Sequence, residues 1–416
     1  MNSIGRLAPE QVAAEAARLS ALGGAPPAGA TESGPAQVTT STRALAARSG
    51  GQVVASGGTT GRIKLTTIAP DQGIPRLLRS WRPLGPGDVL LNLFRPGRLW
   101  GAHYFYNALA TQSRASVLPM GPVSAAELPE WATVFRETGV NALAGAPSAL
   151  ADFADAALAT GTTLPVTTVV WAGEPLTAAR HERIVRAFPE AAAWGNYGSI
   201  ETYVIATSGP ACAPGLLHLL PDQRLDHDEE RTLLTRVGES WPAPALRYRL
   251  GDRIAPDDCP CGTPDALRVL GRTDDRLKFH NTMLRLGDLL EVARAVPGVA
   301  DAQLLLTPDP ADPTALAGLT VRWTGHGRSH DPTPALDARL PHDTRPPHHG
   351  TARNPARPLD DDPVRADLLR RVYALGAIAA QHPDSVRAEH VDQLDRSTRT
   401  GKVLPHQWLR AASGTP

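Results

Sequence analysis

Between Val53 and Phe188 short apolar runs alternate with helix-length stretches, and that alternation restricts the chain to few folds. Asp88–Phe94 (DVLLNLF), Ala115–Pro119, Val140–Ala144 and Val166–Trp171 (VTTVVW) read as buried strands. Ala125–Thr138, Ser148–Ala159 and Thr177–Phe188 read as helices, with Pro129 tolerated near a helix start and Ser148 suited to an N-cap. Strands separated by helices imply an α/β fold: a large N-terminal domain with mainly parallel sheets flanked by helices. Ligands of such sheets bind beyond the carboxyl ends of the strands. Ahead of this region, Pro9–Leu22 predicts a helix and residues 24–37 a linker rich in Ala, Pro and Gly.

A chain of 416 residues exceeds one ordinary domain. The expected division is an N-terminal core over 1–273 and a smaller α+β domain over 274–416. In the second, Gln303–Leu306 and Leu316–Trp323 predict strands, Val364–Leu375 a helix, and a last short strand precedes Asp392. Residues 324–362 are dominated by Pro, His, Arg and Asp and read as a loop that cannot build a core. The formal net charge is zero, which gives no basic surface for nucleic acid or an anionic membrane. No apolar run approaches the ~20 residues of a membrane helix, and Met1–Arg6 lacks the core of a secretion signal, so a cytoplasmic location is expected.

Five polar segments carry the chemistry. Ser56-Gly57-Gly58-Thr59-Thr60-Gly61-Arg62-Ile63-Lys64 combines glycines, which let backbone N–H groups approach an anion, with two hydroxyls and terminal charge; it suits a polyphosphate without being a Walker loop. In Asn196-Tyr197-Gly198-Ser199-Ile200-Glu201, the tyrosine can face a purine and the carboxylate can hold Mg²⁺. Tyr248-Arg249-Leu250-Gly251-Asp252 offers a carboxylate on a tight turn, able to accept two ribose hydroxyls. The remaining two are Gly271–Lys278 (GRTDDRLK) and Leu394–Lys402 (LDRSTRTGK). Singly, each also reads as an ordinary polar turn.

In this order and spacing the five resemble the superfamily of acyl- and aryl-CoA ligases, nonribosomal-peptide adenylation domains and firefly-type luciferases. That family's phosphate loop reads S/T-S/G-G-T-T-G-x-P-K, followed by Y-G-x-S/T-E, Y-x-x-G-D, G-R-x-D-D-x-I/L-K and R-S/T-x-x-G-K. Within it the chain is most similar to the phenylacetate–CoA ligase branch, through Trp171-Ala172-Gly173-Glu174-Pro175-Leu176, Leu143–Ser148 and Gly97–Gly121. The resemblance implies an enzyme that joins a small aromatic or amino acid to AMP and passes the acyl group to CoA or a carrier protein, in natural-product biosynthesis. ATP and Mg²⁺ are the implied cofactors. Ser56, Gly57, Gly58, Thr59, Thr60, Gly61 and Lys64 would cradle the phosphates. Gly173, Glu174, Pro175, Asn196, Tyr197, Gly198 and Ser199 would surround adenine, Asp252 would take the ribose, Arg272 would contact the nucleotide, and Glu201 would hold Mg²⁺. Asp274 would be the hinge on which a mobile C-terminal domain brings Lys402 to the reacting carboxylate. His103, Tyr104 and Gly145 would line the acid pocket.

The chain departs from the pattern at Ile63, where proline is usual, at Ile200, which replaces a hydroxyl donor, and at Asn281, where glycine is usual. The alternatives are an acceptor other than a thiol, an activated oxyanion such as nitrite, or a non-catalytic nucleotide-binding relative. A homodimer is compatible with the family. Cys212, His218, Cys259 and Cys261 make a complete tetrahedral Zn²⁺ set, and some of the branch's members carry a similar arrangement; free half-buried thiols are the other reading.

Overall fold

A computed structural model describes residues 8–21, 47, 49–56, 64–227, 231–237, 245–273, 275–280, 282–310, 315–325 and 362–409. The expectations placed on Gly57, Gly58, Thr59, Thr60, Gly61, Ile63, Asp274, Asn281 and nearly all of the 324–362 loop lie outside these residues. The chain packs as two compact units. One runs up to Asp275 and takes in Arg396–Leu404; the other comprises Arg276–Asp395 and the chain from Pro405 onward.

The first unit is organised on a nine-stranded sheet. Its spatial order is Ser116–Leu118, Val89–Asn92, Ala142–Gly145, Thr168–Ala172, Ala192–Ser199, Tyr203–Ser208, Leu217–Leu219, Ala266–Arg272 and Asp252–Pro256. The pairs from Ser116–Leu118 through Ala192–Ser199 are parallel. From Ala192–Ser199 onward every pair is antiparallel. The parallel half is covered by helices Gly101–Gln112, Leu128–Glu137, Pro147–Thr160 and Ala178–Ala187. Every residue of Ala142–Gly145 is buried, as a strand covered on both faces requires. Leu90, Leu91, Leu143, Leu150 and Val170 are fully buried in the same core; burying each such side chain contributes about 1.5–3 kcal/mol.

Local chemistry sets the element ends. Helix Leu128–Glu137 starts three residues later than its periodicity suggests and is preceded by a turn over 125–127, across which Ser124 and Glu127 pair reciprocally: the Ser124 amide donates to Glu127 Oε2 at 3.0 Å and the Glu127 amide to Ser124 Oγ at 3.3 Å. Pro147 opens the next helix, so Ser148 is not its cap residue; the Ser148 amide donates instead to Glu174 Oε2 at 3.0 Å. Thr177 does cap Ala178–Ala187, accepting from the Arg180 amide.

Two smaller sheets complete this unit. Gln52–Ser56 pairs antiparallel with Lys64–Ile68, and Gln223–His227, Thr232–Arg236 and Tyr248–Leu250 form a three-stranded sheet. In the second unit Ala315–Gly325 pairs with Val299–Pro308, Arg276–Phe279 and Val386–His390, and Leu304, Leu306, Leu319, Val321 and Leu368 fill the core. The stretch Val364–Leu375 forms parts of two helices, Pro363–Arg371 and Tyr373–Gln381, because Val372 between them is extended at φ −105°, ψ 90°. Among the described residues no helix is long and apolar enough to cross a membrane.

Candidate functional site

Gly173 directly follows strand Thr168–Ala172, at a carboxyl end of the parallel half of the sheet. Gly173 has φ 82°, a backbone that favours glycine, and a Cβ here would collide with the Lys402 side chain. Lys402 Nζ donates to the Gly173 carbonyl at 2.8 Å and lies 4.6 Å from the centre of the Trp100 ring. The Val403 amide donates to Glu174 Oε1 at 3.0 Å. Glu174 Oε2 accepts from the Ser148 amide and pairs with Arg180 Nη1 at 3.2 Å, the Arg180 side chain being only 2% exposed. The Glu174 carboxylate thus ties the loop carrying Lys402 to a helix N-terminus and a buried guanidinium. Arg396 secures the same loop, donating to Ser148 Oγ at 3.1 Å and Asp152 Oδ2 at 2.6 Å. Burial lowers the Lys402 pKa; Glu174 and Asp252 act against that, and Arg399 adds to it.

A second cluster assembles where the sheet changes direction. Tyr197 Oη donates to Asp252 Oδ2 at 2.8 Å, and Arg272 Nη1 lies 3.4 Å from Asp252 Oδ1. Each Asp252 oxygen therefore already has one partner, and a second lone pair on each remains for further donors. Burial, then the Asp252 carboxylate, push the Tyr197 phenol up. Burial followed by the Glu201 carboxylate does the same to Tyr248, which places Glu201 in the same electrostatic neighbourhood. Gly198 is required by packing, since a Cβ there would overlap the Tyr203 carbonyl. The Ser199 hydroxyl is 2.9 Å from the Thr202 hydroxyl. The Ile200 side chain packs toward helix Gly101–Gln112, its Cγ2 lying 3.2 Å from where a Gly101 Cβ would stand. Ser56 ends and Lys64 begins the strands that flank residues 57–63.

Asn196 is buried, and its Nδ2 donates to Tyr106 Oη at 2.6 Å. Tyr106 stacks on Phe94 with ring centres 4.5 Å apart. Tyr106→Phe removes the acceptor and leaves the buried amide unpaired; it should cost about 1–3 kcal/mol in a denaturant titration. Of the residues expected around the acid, His103 is buried with Nδ1 2.6 Å from the Phe94 carbonyl, so that nitrogen is occupied. Tyr104 is 37% exposed, and Gly145 allows Leu150 to pack against the strand, a Cβ there falling 3.1 Å from Leu150 Cγ. Trp100, Asp152, Arg180 and Arg399 have no role assigned by the sequence; the aromatic run that begins at Trp100 marks the first of them, and nothing local marks the others.

Cys212, His218, Cys259 and Cys261 form a third cluster, with one ligand atom of each within 4.8 Å of all the others. Strand Leu217–Leu219 pairs with Ala266–Arg272, and this register brings His218 to the cysteine turn although 40 residues separate them. Cys212 and Cys261 sulfurs are 3.9 Å apart, and Cys261 Sγ is 3.2 Å from His218 Nε2. A tetrahedral zinc with ~2.3 Å sulfur bonds needs sulfurs ~3.8 Å apart. His218 Nδ1 is 3.0 Å from the Pro264 carbonyl; as donor to it, the ring turns the Nε2 lone pair toward the thiols. Burial pushes Cys212 up to about 11, whereas hydrogen bonds from Thr263 bring Cys261 down to about 6. The donor set fits structural zinc.

No protein-family model matches the sequence. The chain is 26% identical to indoleacetate–lysine synthetase of Pseudomonas savastanoi over 248 residues, a match that spans 58% of this chain and 62% of the synthetase. It is 36% identical over 72 residues to the AMB antimetabolite synthetase AmbB of Pseudomonas aeruginosa, covering 17% of this chain and 5% of that protein. Among solved structures, 2-hydroxyisobutyryl-CoA ligase in complex with 2-HIB-AMP superposes with a TM-score of 0.58 at 15% identity, over 89% of this chain and 79% of the ligase. The anthranilate CoA ligase AuaEII in complex with anthranoyl-AMP gives 0.53 at 16% identity, over 84% of this chain and 65% of that one. The chain thus has the fold of these AMP-forming acid–CoA ligases, and its motif series from Ser56 to Lys402 stands in the order that the sequence resemblance to adenylate-forming enzymes implies.

Proposed function

We propose that the protein is an ATP-dependent ligase that converts a small aromatic or amino acid into an acyl-AMP and transfers the acyl group to a thiol of CoA or a carrier protein, in the cytoplasm. One arrangement supports it above all: Lys402 lies against Gly173 while Tyr197, Asp252 and Arg272 are joined by hydrogen bonds and charge within the same unit. A single ammonium at the end of the sheet is suited to bridging a carboxylate and an α-phosphate, stabilising the charge that builds as the acid attacks. Asp252 would receive the ribose hydroxyls on its remaining lone pairs. Glu201 would hold Mg²⁺ on the departing pyrophosphate, and residues 56–64 would cradle the phosphates. The ring of Tyr197, held by its hydroxyl, would face adenine opposite Gly173-Glu174-Pro175. Asp274 would be the pivot between the adenylating and transferring states.

The test is acid-dependent exchange of labelled pyrophosphate into ATP across aryl, amino and short-chain acids. Exchange with at least one acid is expected, and none with any of them would overturn the reading. Exchange should also fall on the alkaline side below the ordinary lysine range. Lys402 acts as the ammonium, its pKa is lowered, and the proton is therefore lost earlier as pH rises. A pH–rate profile matching an unperturbed lysine would contradict the role.

A second reading changes only the acceptor, making the product an amide on an amine. It is favoured by indoleacetate–lysine synthetase, the curated relative that aligns with more than half of this chain. Preformed acyl-AMP offered CoA and lysine side by side separates the two by the mass of the product.

The cysteine–histidine cluster would hold a structural Zn²⁺. Bound there, the ion would supply a tetrahedral cross-link between the turns of the antiparallel half of the sheet, remote from the chemistry in role.

A further inference from the structure

Trp100 sits immediately before helix Gly101–Gln112 and is nine-tenths buried. Its position is set by backbone: the Trp100 amide donates to the Gly97 carbonyl at 3.0 Å, and the Ala55 amide donates to the Leu99 carbonyl at 2.8 Å. Ala55 and Trp100 form a parallel bridge, so the indole is tied to the strand that leads into residues 57–63. The indole N–H has no hydrogen-bond partner among the described residues.

Two cations of the Arg396–Leu404 loop lie over that ring. Lys402 Nζ is 4.6 Å from its centre and the Arg399 guanidinium carbon 5.7 Å. Both are within the ~6 Å at which an aromatic face attracts a cation. Arg399 is also fastened to the Trp100 neighbourhood, its Nη1 donating to the Ala55 carbonyl at 3.2 Å. Two like charges on one loop repel, and the attraction of each to the electron-rich indole ring offsets that repulsion. Among the described residues Lys402 otherwise has a single hydrogen bond through its ammonium, to the Gly173 carbonyl. A four-carbon side chain with one such bond retains several rotamers, and the aromatic face removes them.

We propose that Trp100 is a positioning residue of the adenylation step, its indole face holding the Lys402 ammonium and the Arg399 guanidinium so that the lysine is aimed before substrate arrives. This rests on the proposed role of Lys402. The interaction needs an aromatic quadrupole rather than apolar bulk, so Trp100→Phe and Trp100→Leu separate the two. In pyrophosphate exchange, Trp100→Leu should lose about tenfold in kcat, as expected of ~1–2 kcal/mol of cation–π attraction. Its KM for ATP should stay within about twofold, and Trp100→Phe should recover most of the rate. Loss in Trp100→Leu with equal loss in Trp100→Phe, or a change confined to KM, would overturn the assignment.

A second measurement is independent of catalysis. In the wild type an amine-acylating reagent, read by peptide mass spectrometry, should label Lys402 slowly. Labelling should be several-fold faster in Trp100→Leu and near wild type in Trp100→Phe. Should Trp100→Leu fail to fold, Arg399→Gln tests the same face, because relieving the repulsion should slow Lys402 labelling further. Equal labelling in all variants overturns the Trp100 assignment alone, whereas absence of exchange in the wild type overturns the adenylation reading.

Discussion

Lys402→Ala should lower acid-dependent pyrophosphate exchange by ~10²–10³-fold, the loss typical of removing one preorganised charge from a developing transition state. Transfer from preformed acyl-AMP should survive within a few-fold, since in the proposed role the ammonium would be needed while the acid attacks the α-phosphate and not afterwards. The structure explains why the loss falls on rate rather than on folding. Among the described residues the Lys402 ammonium makes one hydrogen bond, to the Gly173 carbonyl, whereas the loop is held by Val403 on Glu174 and by Arg396 on Ser148 and Asp152. Those anchors remain in Lys402→Ala, so thermal unfolding should be unchanged. Full exchange in the variant would remove Lys402 from the chemistry. Equal loss of both half-reactions would make it a structural residue instead.

Purified protein should carry about one zinc per chain by metal analysis, and Cys261→Ser should release it. Structural zinc contributes on the order of 10 kcal/mol of binding free energy in small domains. Even a third of that, lost here, would lower the melting temperature by roughly 6 °C in a unit of this size. Cys261 is the informative ligand because Thr263 already favours its thiolate, and because its sulfur lies near both Cys212 and His218. His218→Asn is a second probe, with the same direction expected. Protein prepared without chelator that contains almost no zinc, and melts as the Cys261→Ser variant does, would leave four free side chains and no metal site.

The strands and helices of the parallel half could be read from residues because each carries its own periodicity. Ala142–Gly145 is apolar throughout, and the helix after it begins at a proline. Five polar turns could also be named, since glycine, hydroxyl and charge in fixed order are local properties of the chain. What could not be read is who touches whom. Ser148 looked like a cap for its own helix, yet its amide is satisfied by Glu174, a residue 26 positions away that also holds Val403. Asp152 carried no signal, and Trp100 only its place in an aromatic run, because their partners lie far along the chain: Asp152 meets Arg396, and Trp100 faces Lys402 and Arg399.

The same division holds for the cysteines. Three thiols and one imidazole are the right ligand chemistry for zinc in any order, but only the antiparallel pairing of Leu217–Leu219 with Ala266–Arg272 puts His218 beside Cys261. The amino-acid order determined the elements, their sequence and the chemical types available at each turn, because propensity, capping and periodicity act within a few residues. The tertiary structure alone decided which carboxylate meets which amide and which ring meets which cation, because such contacts depend on sheet register and helix placement that no short window contains.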